Sequence, residues 1–365
     1  MKPTWLEANL WLGIGSRAWW RLLVRNRLAI RPARMPMAAV VTAAAAGNSL
    51  LGGVQSLLYG RRIRQVAVPD NPVFIVGHWR TGTTMLHELL ALDPRHRAPT
   101  TYESLSPHHF LLTERLVRRF ARWLLPGTRP FDNMRMSFDR PQEDEAALAL
   151  RGVPSPFLAV AFPRRPLPWP EYVDLDGLSP RQLADWQQGM RRLLKLLLVR
   201  RPGRLVLKSP QHTNRIRLLS QMFPAAQFVY LVRDPYAVFP STVHFWRTMY
   251  QRYGLQRFDE TRLREQVLHD FAHMHQRVEQ ARAQLAPARL HEVRYEQLAA
   301  DPLAEVERLY AALQLGDFEP ARPAVAQYAE RSRRYKTNDY DLDGATRREI
   351  AARWAPYFQR HGYDA

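Results

Sequence analysis

A group of residues near position 80 has the types and spacing of an anion-binding loop. Four residues separate Gly77 from Gly82, Arg80 lies between them, and the hydroxyls of Thr83 and Thr84 follow directly. Glycine allows the backbone to curl closely around an anion. The arginine adds a full charge with a planar fork of N–H donors, and the threonines add hydroxyl donors. These residues predict a site for a phosphate-like group.

The flanking sequence predicts that this loop joins a strand to a helix. Residues 73–76 are apolar, rich in β-branched side chains and bounded by Pro72 and Gly77, as in a buried strand. Residues 83–92 repeat apolar side chains at helical spacing. The first N–H groups of a helix have no intrahelical partner, and the helix dipole adds partial positive charge there. The predicted loop is therefore well placed to bind an anion.

At one position the loop departs from the phosphate loop of nucleoside triphosphatases. That motif needs lysine after its second glycine, where this chain has Thr83, and the cation stands at Arg80 instead. The run Arg-x-Gly-Thr-Thr at a helix start resembles the 5′-phosphosulfate loop of the sulfotransferases. The resemblance implies transfer of a sulfuryl group from 3′-phosphoadenosine-5′-phosphosulfate (PAPS) to an acceptor hydroxyl. It also implies that this donor is bound by Arg80, Thr81, Gly82, Thr83 and Thr84.

Two further strand ends carry residues that fit the same family. Residues 204–208 predict a buried strand that ends in Lys208, one of four lysines against 49 arginines. Residues 227–232 predict another strand, followed by Arg233, and Ser241 comes eight positions later in the next helix. Arginine and serine can hold one phosphate between them. The pair matches the 3′-phosphate motif of the sulfotransferases, and Lys208 matches their catalytic lysine, although an exposed lysine at a strand end is the simpler alternative.

Two residues are candidates for the general base. Glu103 lies about one strand and turn beyond the first helix, near the sheet edge where α/β folds bind ligands. A carboxylate there could take the proton of an attacking hydroxyl, and tyrosylprotein sulfotransferases have a catalytic glutamate at a similar distance. A helix cap or a solvated carboxylate is the alternative for Glu103. His212 follows Lys208 by four positions, whereas small-molecule sulfotransferases place a histidine base two positions after the lysine. A histidine packed on a helix start is the alternative for His212.

The carboxyl-terminal region contains a basic loop and an aromatic helix. The loop carries Arg333, Arg334 and Lys336. The resemblance implies that such a loop folds over the 3′-phosphate of the donor. The last helix carries Trp354 and Tyr357, and its pattern predicts core packing.

The amino-terminal segment is strongly basic. Residues 1–64 hold ten basic residues and one acidic residue, in a chain of net charge +19. Residues 35–60 are uncharged and long enough to span a bilayer, but they are only moderately apolar. We interpret this segment as helices that lie on an anionic membrane surface or pack against the enzyme body, with a membrane span as the alternative. The start lacks a signal-peptide pattern, so we expect a cytoplasmic protein, either free or attached to the cytoplasmic face of a membrane.

Together these patterns predict an α/β fold, with a P-loop-like, mainly parallel sheet flanked by helices. Right-handed crossovers would bring the loop after residue 76, Lys208 and Arg233 to one edge of the sheet. We expect a basic helical extension over residues 1–68 and a sulfotransferase domain over residues 69–365. A proline-rich stretch at about 126–180 is interpreted as a substrate-facing insertion.

Two alternatives come from other functional classes. A P-loop nucleotide kinase or triphosphatase would need the missing lysine and a carboxylate for Mg²⁺, for which Asp234 is the candidate. A non-enzymatic basic module for nucleic acid or anionic membrane would explain the charge but not the three motifs. RNA-binding signatures with interleaved aromatic residues are absent, so we expect no nucleic-acid partner.

The composition excludes several kinds of chemistry. The chain has no cysteine, so disulfides, thiolate zinc sites and cysteine nucleophiles are excluded. The sequence has no His/Asp/Glu cluster with convincing metal-ligand spacing, and fixed cations can stabilise the transferred group, so we expect no metal.

The acceptor hydroxyl can belong to a lipid, a glycolipid or a glycan.

Overall fold

The computed structural model describes residues 9–120, 137–164, 171–332 and 340–365. The chain divides into two compact units. The first comprises Met1–Val68, Pro99–Pro202 and Trp246–Asp259, and the second comprises Pro69–Ala98, Gly203–Phe245 and Glu260–Ala365. The amino-terminal segment thus belongs to the same unit as residues 99–202.

Helices make up most of the described secondary structure. In chain order the α-helices are α1 (Ser16–Arg25), α2 (Met35–Gln65), α3 (Thr83–Leu90), α4 (Thr101–Leu105), α5 (Phe110–Phe120), α6 (Asp144–Leu150), α7 (Glu171–Asp174), α8 (Pro180–Arg200), α9 (Ile216–Met222), α10 (Pro235–Tyr253), α11 (Glu260–Arg282), α12 (Tyr295–Ala300), α13 (Pro302–Leu313), α14 (Arg322–Ser332), α15 (Gly344–Arg353) and α16 (Ala355–His361). Short 3-10 helices cover Leu10–Gly13, Pro32–Arg34, Pro156–Val160, Pro210–Arg215 and Pro287–Arg289.

The second unit is built on a five-stranded sheet. Its strands are β1 (Val73–Val76), β2 (His96–Arg97), β3 (Arg204–Lys208), β4 (Gln227–Val232) and β5 (Leu290–Arg294). They lie in the order β2-β3-β1-β4-β5, and every neighbouring pair is parallel. The predicted α/β fold with a parallel sheet is confirmed. The two-residue β2 is too short to leave a pattern in the sequence.

The register of the sheet brings the predicted motifs to one edge. β1 lies between β3 and β4, with Ile75 opposite Lys208 and Val76 opposite Tyr230. Parallel strands all end at the same edge, so the loop after β1, the end of β3 and the start of α10 meet there.

Apolar side chains hold α3, α13 and α14 on the sheet. This core cluster is fully buried at most positions, among them Val73, Ile75, Leu86, Leu90, Val229, Val293, Leu309 and Val325. Aromatic side chains also connect β1 to β4, because the rings of Phe74 and Phe228 stack with centroids 5.5 Å apart. Burial on this scale fixes α3 against β1, and it therefore fixes the loop between them.

The described part of the first unit is helical, and α2 packs against α1, α5 and α8. The indole N–H of Trp11 donates to the Tyr253 carbonyl at 2.8 Å. Glu114 pairs with Arg118 at 2.7 Å and with Arg200 at 2.8 Å, which ties α5 to α8. Of the predicted insertion, residues 126–136 and 165–170 lie outside the described residues.

Candidate active site

The loop after β1 has a backbone that its residue types explain. Gly77 has φ +142° and Gly82 has φ +97°, and both angles lie in the region that favours glycine. A Cβ at Gly82 would also lie 2.3 Å from a ring carbon of Tyr295, so the position has no room for a side chain. Arg80 has φ +70°, an uncommon value for a non-glycine residue that clusters at functional sites.

Hydroxyl groups fix the shape of this loop. Thr213 donates to the Gly77 carbonyl at 3.2 Å and accepts the Gly77 N–H at 2.8 Å. Thr81 donates to the His78 carbonyl at 2.7 Å. Thr242 lies 3.2 Å from the Trp79 carbonyl and donates to its own helix. The backbone is therefore held in place before any ligand arrives.

The start of α3 has the character of an anion site. Gly82 is its N-cap residue, and among the described residues no side chain caps this end. The first turn of this described helix contains no acidic residue. Uncapped N–H groups and the helix dipole both favour a negatively charged ligand at this position.

Three of the predicted donor-binding residues meet beside the loop. Arg80 Nε donates to Ser241 Oγ at 2.9 Å. Arg233 Nη1 donates to the Arg80 carbonyl at 2.8 Å. Two guanidinium groups and a hydroxyl thus converge from two different strand ends, which suits a doubly charged phosphate group.

Two tyrosines that sequence reasoning did not assign to the site support Arg233. The Arg233 guanidinium lies 4.1 Å from the ring centroid of Tyr295, at the start of α12. The hydroxyl of Tyr357 in α16 accepts the Arg233 N–H at 3.0 Å and donates to the Arg233 carbonyl at 3.2 Å. Burial raises the pKa of Tyr357, so its hydroxyl keeps its proton. The sequence predicted core packing for Tyr357, and it is indeed buried, but it also fixes the backbone of Arg233.

We expect Tyr357→Phe to weaken binding of adenosine 3′,5′-bisphosphate roughly tenfold, because the Arg233 backbone loses two hydrogen bonds. Tyr310→Phe is the matched control, since Tyr310 is buried in the same unit and its hydroxyl bonds Asp93 at 2.8 Å. Urea unfolding should show a similar loss of stability in both variants, whereas calorimetry should show weaker binding only in Tyr357→Phe. Equal affinity in the two variants would contradict the positioning role.

Lys208 lies at the end of β3 and is 3% exposed. Its Nζ is 3.4 Å from Thr84 Oγ1, in the first turn of α3. The simpler alternative of an exposed lysine does not hold, because this ammonium is buried beside the anion-binding loop. A buried cation there can stabilise negative charge on a bound ligand.

Glu103 belongs to the first unit, where it forms a capping box at the start of α4. The Thr100 N–H donates to Glu103 Oε2 at 2.8 Å, and Thr100 Oγ1 accepts the Glu103 N–H at 3.3 Å. Glu103 is 2% exposed, so the alternative of a solvated carboxylate does not hold, while that of a helix cap does. A helix cap neither requires nor excludes catalysis, so the role of Glu103 as general base stays a prediction.

His212 lies in the 3-10 helix Pro210–Arg215 and is fully buried. Its ring packs edge-on against Phe74 of β1, with centroids 5.4 Å apart. This placement agrees with the packing alternative, and its role as a base also stays a prediction. Of the remaining predicted residues, Arg333, Arg334 and Lys336 lie outside the described part of the chain.

His78 is a further loop residue that sequence reasoning did not assign. Burial lowers the pKa of His78 to about 3, so the imidazole is neutral at physiological pH. Its Nδ1 lies 3.0 Å from the Trp79 carbonyl, and its ring packs against Phe271 with centroids 5.0 Å apart. Arg80 is therefore the residue that gives this loop its positive charge.

Within the described ranges, no group of three or more His, Asp or Glu residues is arranged to hold a metal ion.

The buried histidines make the protein sensitive to acid. Burial lowers the pKa of His78 to about 3 and that of His275 to about 4. In the unfolded chain both histidines bind a proton below about pH 6.5, whereas in the folded protein they stay neutral until a much lower pH. The free energy of unfolding therefore falls as the pH drops below 6.5, by ~2 kcal/mol per histidine at pH 5. Urea unfolding at pH 7.5 and pH 5 measures this loss. His78→Asn should show the smaller pH dependence, and equal dependence in both proteins would contradict the assignment.

Comparison with known proteins shows the family. The model of the Sulfotransferase family matches residues 72–320. Omega-hydroxy-beta-dihydromenaquinone-9 sulfotransferases of Mycobacterium bovis and Mycobacterium tuberculosis are each 42% identical over 362 residues, which cover 99% of this chain and 93% of the relative.

Solved structures agree on the fold. A sulfotransferase from Mycobacterium avium superposes with a TM-score of 0.66 at 17% identity, covering 95% of this chain and 96% of its own. One from Mycobacterium tuberculosis gives 0.63 at 20% identity, covering 93% and 92%. These findings do not favour a nucleotide kinase. The extent of the family match and the identity to the mycobacterial enzymes show that this chain belongs to the sulfotransferase family and is a sulfotransferase.

Proposed function

We propose that this enzyme takes its sulfuryl group from PAPS and transfers it to the hydroxyl of a lipid. The convergence of Arg80, Ser241 and Arg233 beside the start of α3 carries the donor assignment. PAPS has two anionic ends, and this edge of the sheet offers a helix N-terminus together with a pair of arginines. The name of the 42% identical relatives, which specifies a menaquinone-derived lipid, supports the lipid acceptor.

In this proposal each anionic end of the donor has its own ligands. Thr83 and Thr84, with Thr81 and Gly82 shaping the loop, bind the 5′-phosphosulfate at the start of α3. Arg233 and Ser241 bind the 3′-phosphate. Arg80 contributes charge to the 5′ end while its Nε bonds Ser241, so it can serve both ends. Arg333 and Lys336 are proposed to cover the 3′-phosphate.

The reaction needs positioning and charge stabilisation more than covalent chemistry. The acceptor oxygen attacks sulfur in line with the bond to the 5′-phosphate. The new O–S bond forms as the bridging S–O bond breaks, and the electron pair stays on the phosphate of adenosine 3′,5′-bisphosphate. Lys208 and Arg80 stabilise that charge. The acceptor proton passes to Glu103, with His212 as the alternative base.

The proposed setting is the cytoplasm, either free or at the cytoplasmic face of a membrane. Arg80, Arg233 and Lys208 supply the required cations, so the proposal includes no metal. It includes no nucleic-acid partner, because the sequence lacks RNA-binding signatures.

An acceptor panel tests the proposal. Purified enzyme is given PAPS without added metal, together with an omega-hydroxylated dihydromenaquinone in detergent micelles, a short-chain alcohol or a soluble disaccharide. Mass spectrometry should show the gain of one SO₃ group on the lipid. Transfer to the disaccharide but not to the lipid would overturn the lipid acceptor and keep the donor. Failure to bind adenosine 3′,5′-bisphosphate would overturn the donor.

The base is tested by Glu103→Gln. Glutamine also completes a capping box, so the variant should stay folded, and urea unfolding checks this. If Glu103 takes the proton, kcat should fall about 100-fold, while binding of adenosine 3′,5′-bisphosphate stays unchanged. His212→Asn is the matched comparison. A full kcat in Glu103→Gln with a large loss in His212→Asn would reassign the base to the histidine.

A further inference from the structure

One side of α2 presents an apolar surface to solvent. Positions three or four residues apart along this side are Pro36, Val40, Ala43, Gly47, Leu50, Val54 and Leu58, and all are exposed. Leu57 is 83% exposed and Leu50 is 72% exposed. The stripe runs for about 33 Å at the helical rise per residue. An apolar surface of this length normally marks an interaction site.

The opposite side of α2 is fastened to its own unit by buried amides. Asn48 Nδ2 donates to the carbonyls of Leu12 at 2.7 Å and Ile14 at 2.9 Å. Gln55 Nε2 donates to the His108 carbonyl at 2.8 Å, and Gln55 Oε1 accepts the Leu111 N–H at 2.9 Å. These bonds connect α2 to the 3-10 helix Leu10–Gly13 and to α5.

This anchoring distinguishes two ways in which α2 could meet a membrane. Pro32–Gln65 is long and apolar enough to cross a bilayer by length and composition. A crossing helix surrounded by lipid would leave the amides of Asn48 and Gln55 without their partners, and buried amides without partners are costly. The geometry instead favours contact with a membrane through the exposed stripe alone.

The charge around α2 matches an anionic surface. Arg61, Arg62 and Arg64 are exposed at its carboxyl end. The adjoining α1 exposes Arg17 and Arg21 next to Trp20, which is 62% exposed. Residues 8–69 contain no Asp or Glu. Arginine and tryptophan around an apolar strip are typical of helices that lie in the membrane interface.

We propose that the α2 stripe, defined as the exposed side of α2 from Pro36 to Leu58, docks the enzyme on an anionic lipid bilayer. The helix lies parallel to the surface with Leu50 and Leu57 in the acyl boundary and with Arg61 and Arg62 at the headgroups. The opposite side stays packed on the protein. The docking stands on this helix and its charges and does not depend on which acceptor the enzyme uses.

A single-cysteine reporter tests the docking directly, because the native chain contains no cysteine. Leu57→Cys is labelled with a polarity-sensitive fluorophore, and Ala352→Cys, on the exposed side of α15, is the matched control. Vesicles of phosphatidylcholine mixed with phosphatidylglycerol should shift the emission of the Leu57 label to the blue and leave the control unchanged. Pure phosphatidylcholine should give a weaker shift, and high salt should reduce the response. No shift at Leu57 would overturn the proposal.

Substitutions then separate the apolar and the charged contributions. Leu50→Ser with Leu57→Ser should lower vesicle affinity by roughly tenfold or more, since two exposed leucines lose their lipid contact. Arg61→Gln should weaken binding to anionic vesicles, whereas Arg348→Gln, which removes the same charge from α15, should not. Circular dichroism and binding of adenosine 3′,5′-bisphosphate should match wild type in all variants. Wild-type vesicle affinity in the double variant would overturn the proposal.

Two other occupants of the stripe give different results. If α2 crosses the bilayer, alkaline carbonate will fail to extract the vesicle-bound protein. If a second copy of the chain covers the stripe, sedimentation will show a dimer that the double leucine variant breaks, and vesicles will not compete with it. Either result would overturn docking on the surface.

Discussion

Arg233→Ala should reduce the affinity for adenosine 3′,5′-bisphosphate by several hundredfold. Arg233 follows β4, donates to the Arg80 carbonyl at 2.8 Å and lies over the ring of Tyr295. If its guanidinium binds the 3′-phosphate, its removal leaves a partly desolvated dianion without its main countercharge, and such truncations cost about 2–5 kcal/mol. Calorimetric titration without added metal measures the effect.

A nucleotide series gives this prediction its specificity. Adenosine 5′-monophosphate lacks the 3′-phosphate, so its weaker binding should be nearly the same in wild type and Arg233→Ala. Arg294→Ala is the matched control, because Arg294 also ends a strand of the same sheet and lies 4.4 Å from the ring centroid of Tyr363. Equal losses for both nucleotides would assign Arg233 to structure or to the 5′ end. Tighter binding of ATP that depends on Mg²⁺ would contradict the donor proposal itself.

The parts of the site that lie within short stretches of chain were predictable from sequence. The apolar run of β1, the two glycines of the loop and the periodic pattern of α3 are local signals, and the structure has the strand, the loop and the helix where they indicated. The convergence of Lys208 and Arg233 on this loop also followed, because parallel strands end at one edge of a sheet. Residue type and topology together were sufficient here.

The supports of the site were not predictable in the same way. Thr213 bonds Gly77 across 136 positions, and Tyr357 bonds Arg233 across 124 positions. Neither side chain differs in type or local pattern from ordinary core or loop residues, and their roles depend on tertiary packing. Tyr357 was correctly assigned to the core from its apolar pattern, but burial alone does not show where a hydroxyl points.

Glu103 shows the opposite case, in which a local signal was present. A threonine followed three residues later by a glutamate predicts a capping box, and Thr100 and Glu103 form one. The sequence left this cap open as an alternative to catalysis. The two roles are compatible, because a cap fixes the orientation of the carboxylate, which a general base also requires.

Lys208→Met should lower kcat about 1000-fold and leave the affinity for adenosine 3′,5′-bisphosphate nearly unchanged. The buried Nζ lies 3.4 Å from Thr84 Oγ1, at the end of the loop that would hold the 5′-phosphosulfate. Charge on the bridging oxygen grows as the S–O bond breaks, so a fixed cation at this point contributes more to the transition state than to the bound ground state. Single-turnover kinetics with PAPS measures the chemical step, and calorimetry measures binding.

Two further variants decide between charge and shape as the origin of this effect. Lys195→Met removes the same charge from a half-buried lysine of α8 that donates to the Arg64 carbonyl, and it should keep full activity. Lys208→Arg keeps a charge but replaces a compact ammonium with a planar fork, so it should recover only part of the loss. A Lys208→Met enzyme with normal kcat and weak binding would make Lys208 a ground-state ligand of the donor. In that case Arg80 and the start of α3 would have to stabilise the leaving phosphate without it.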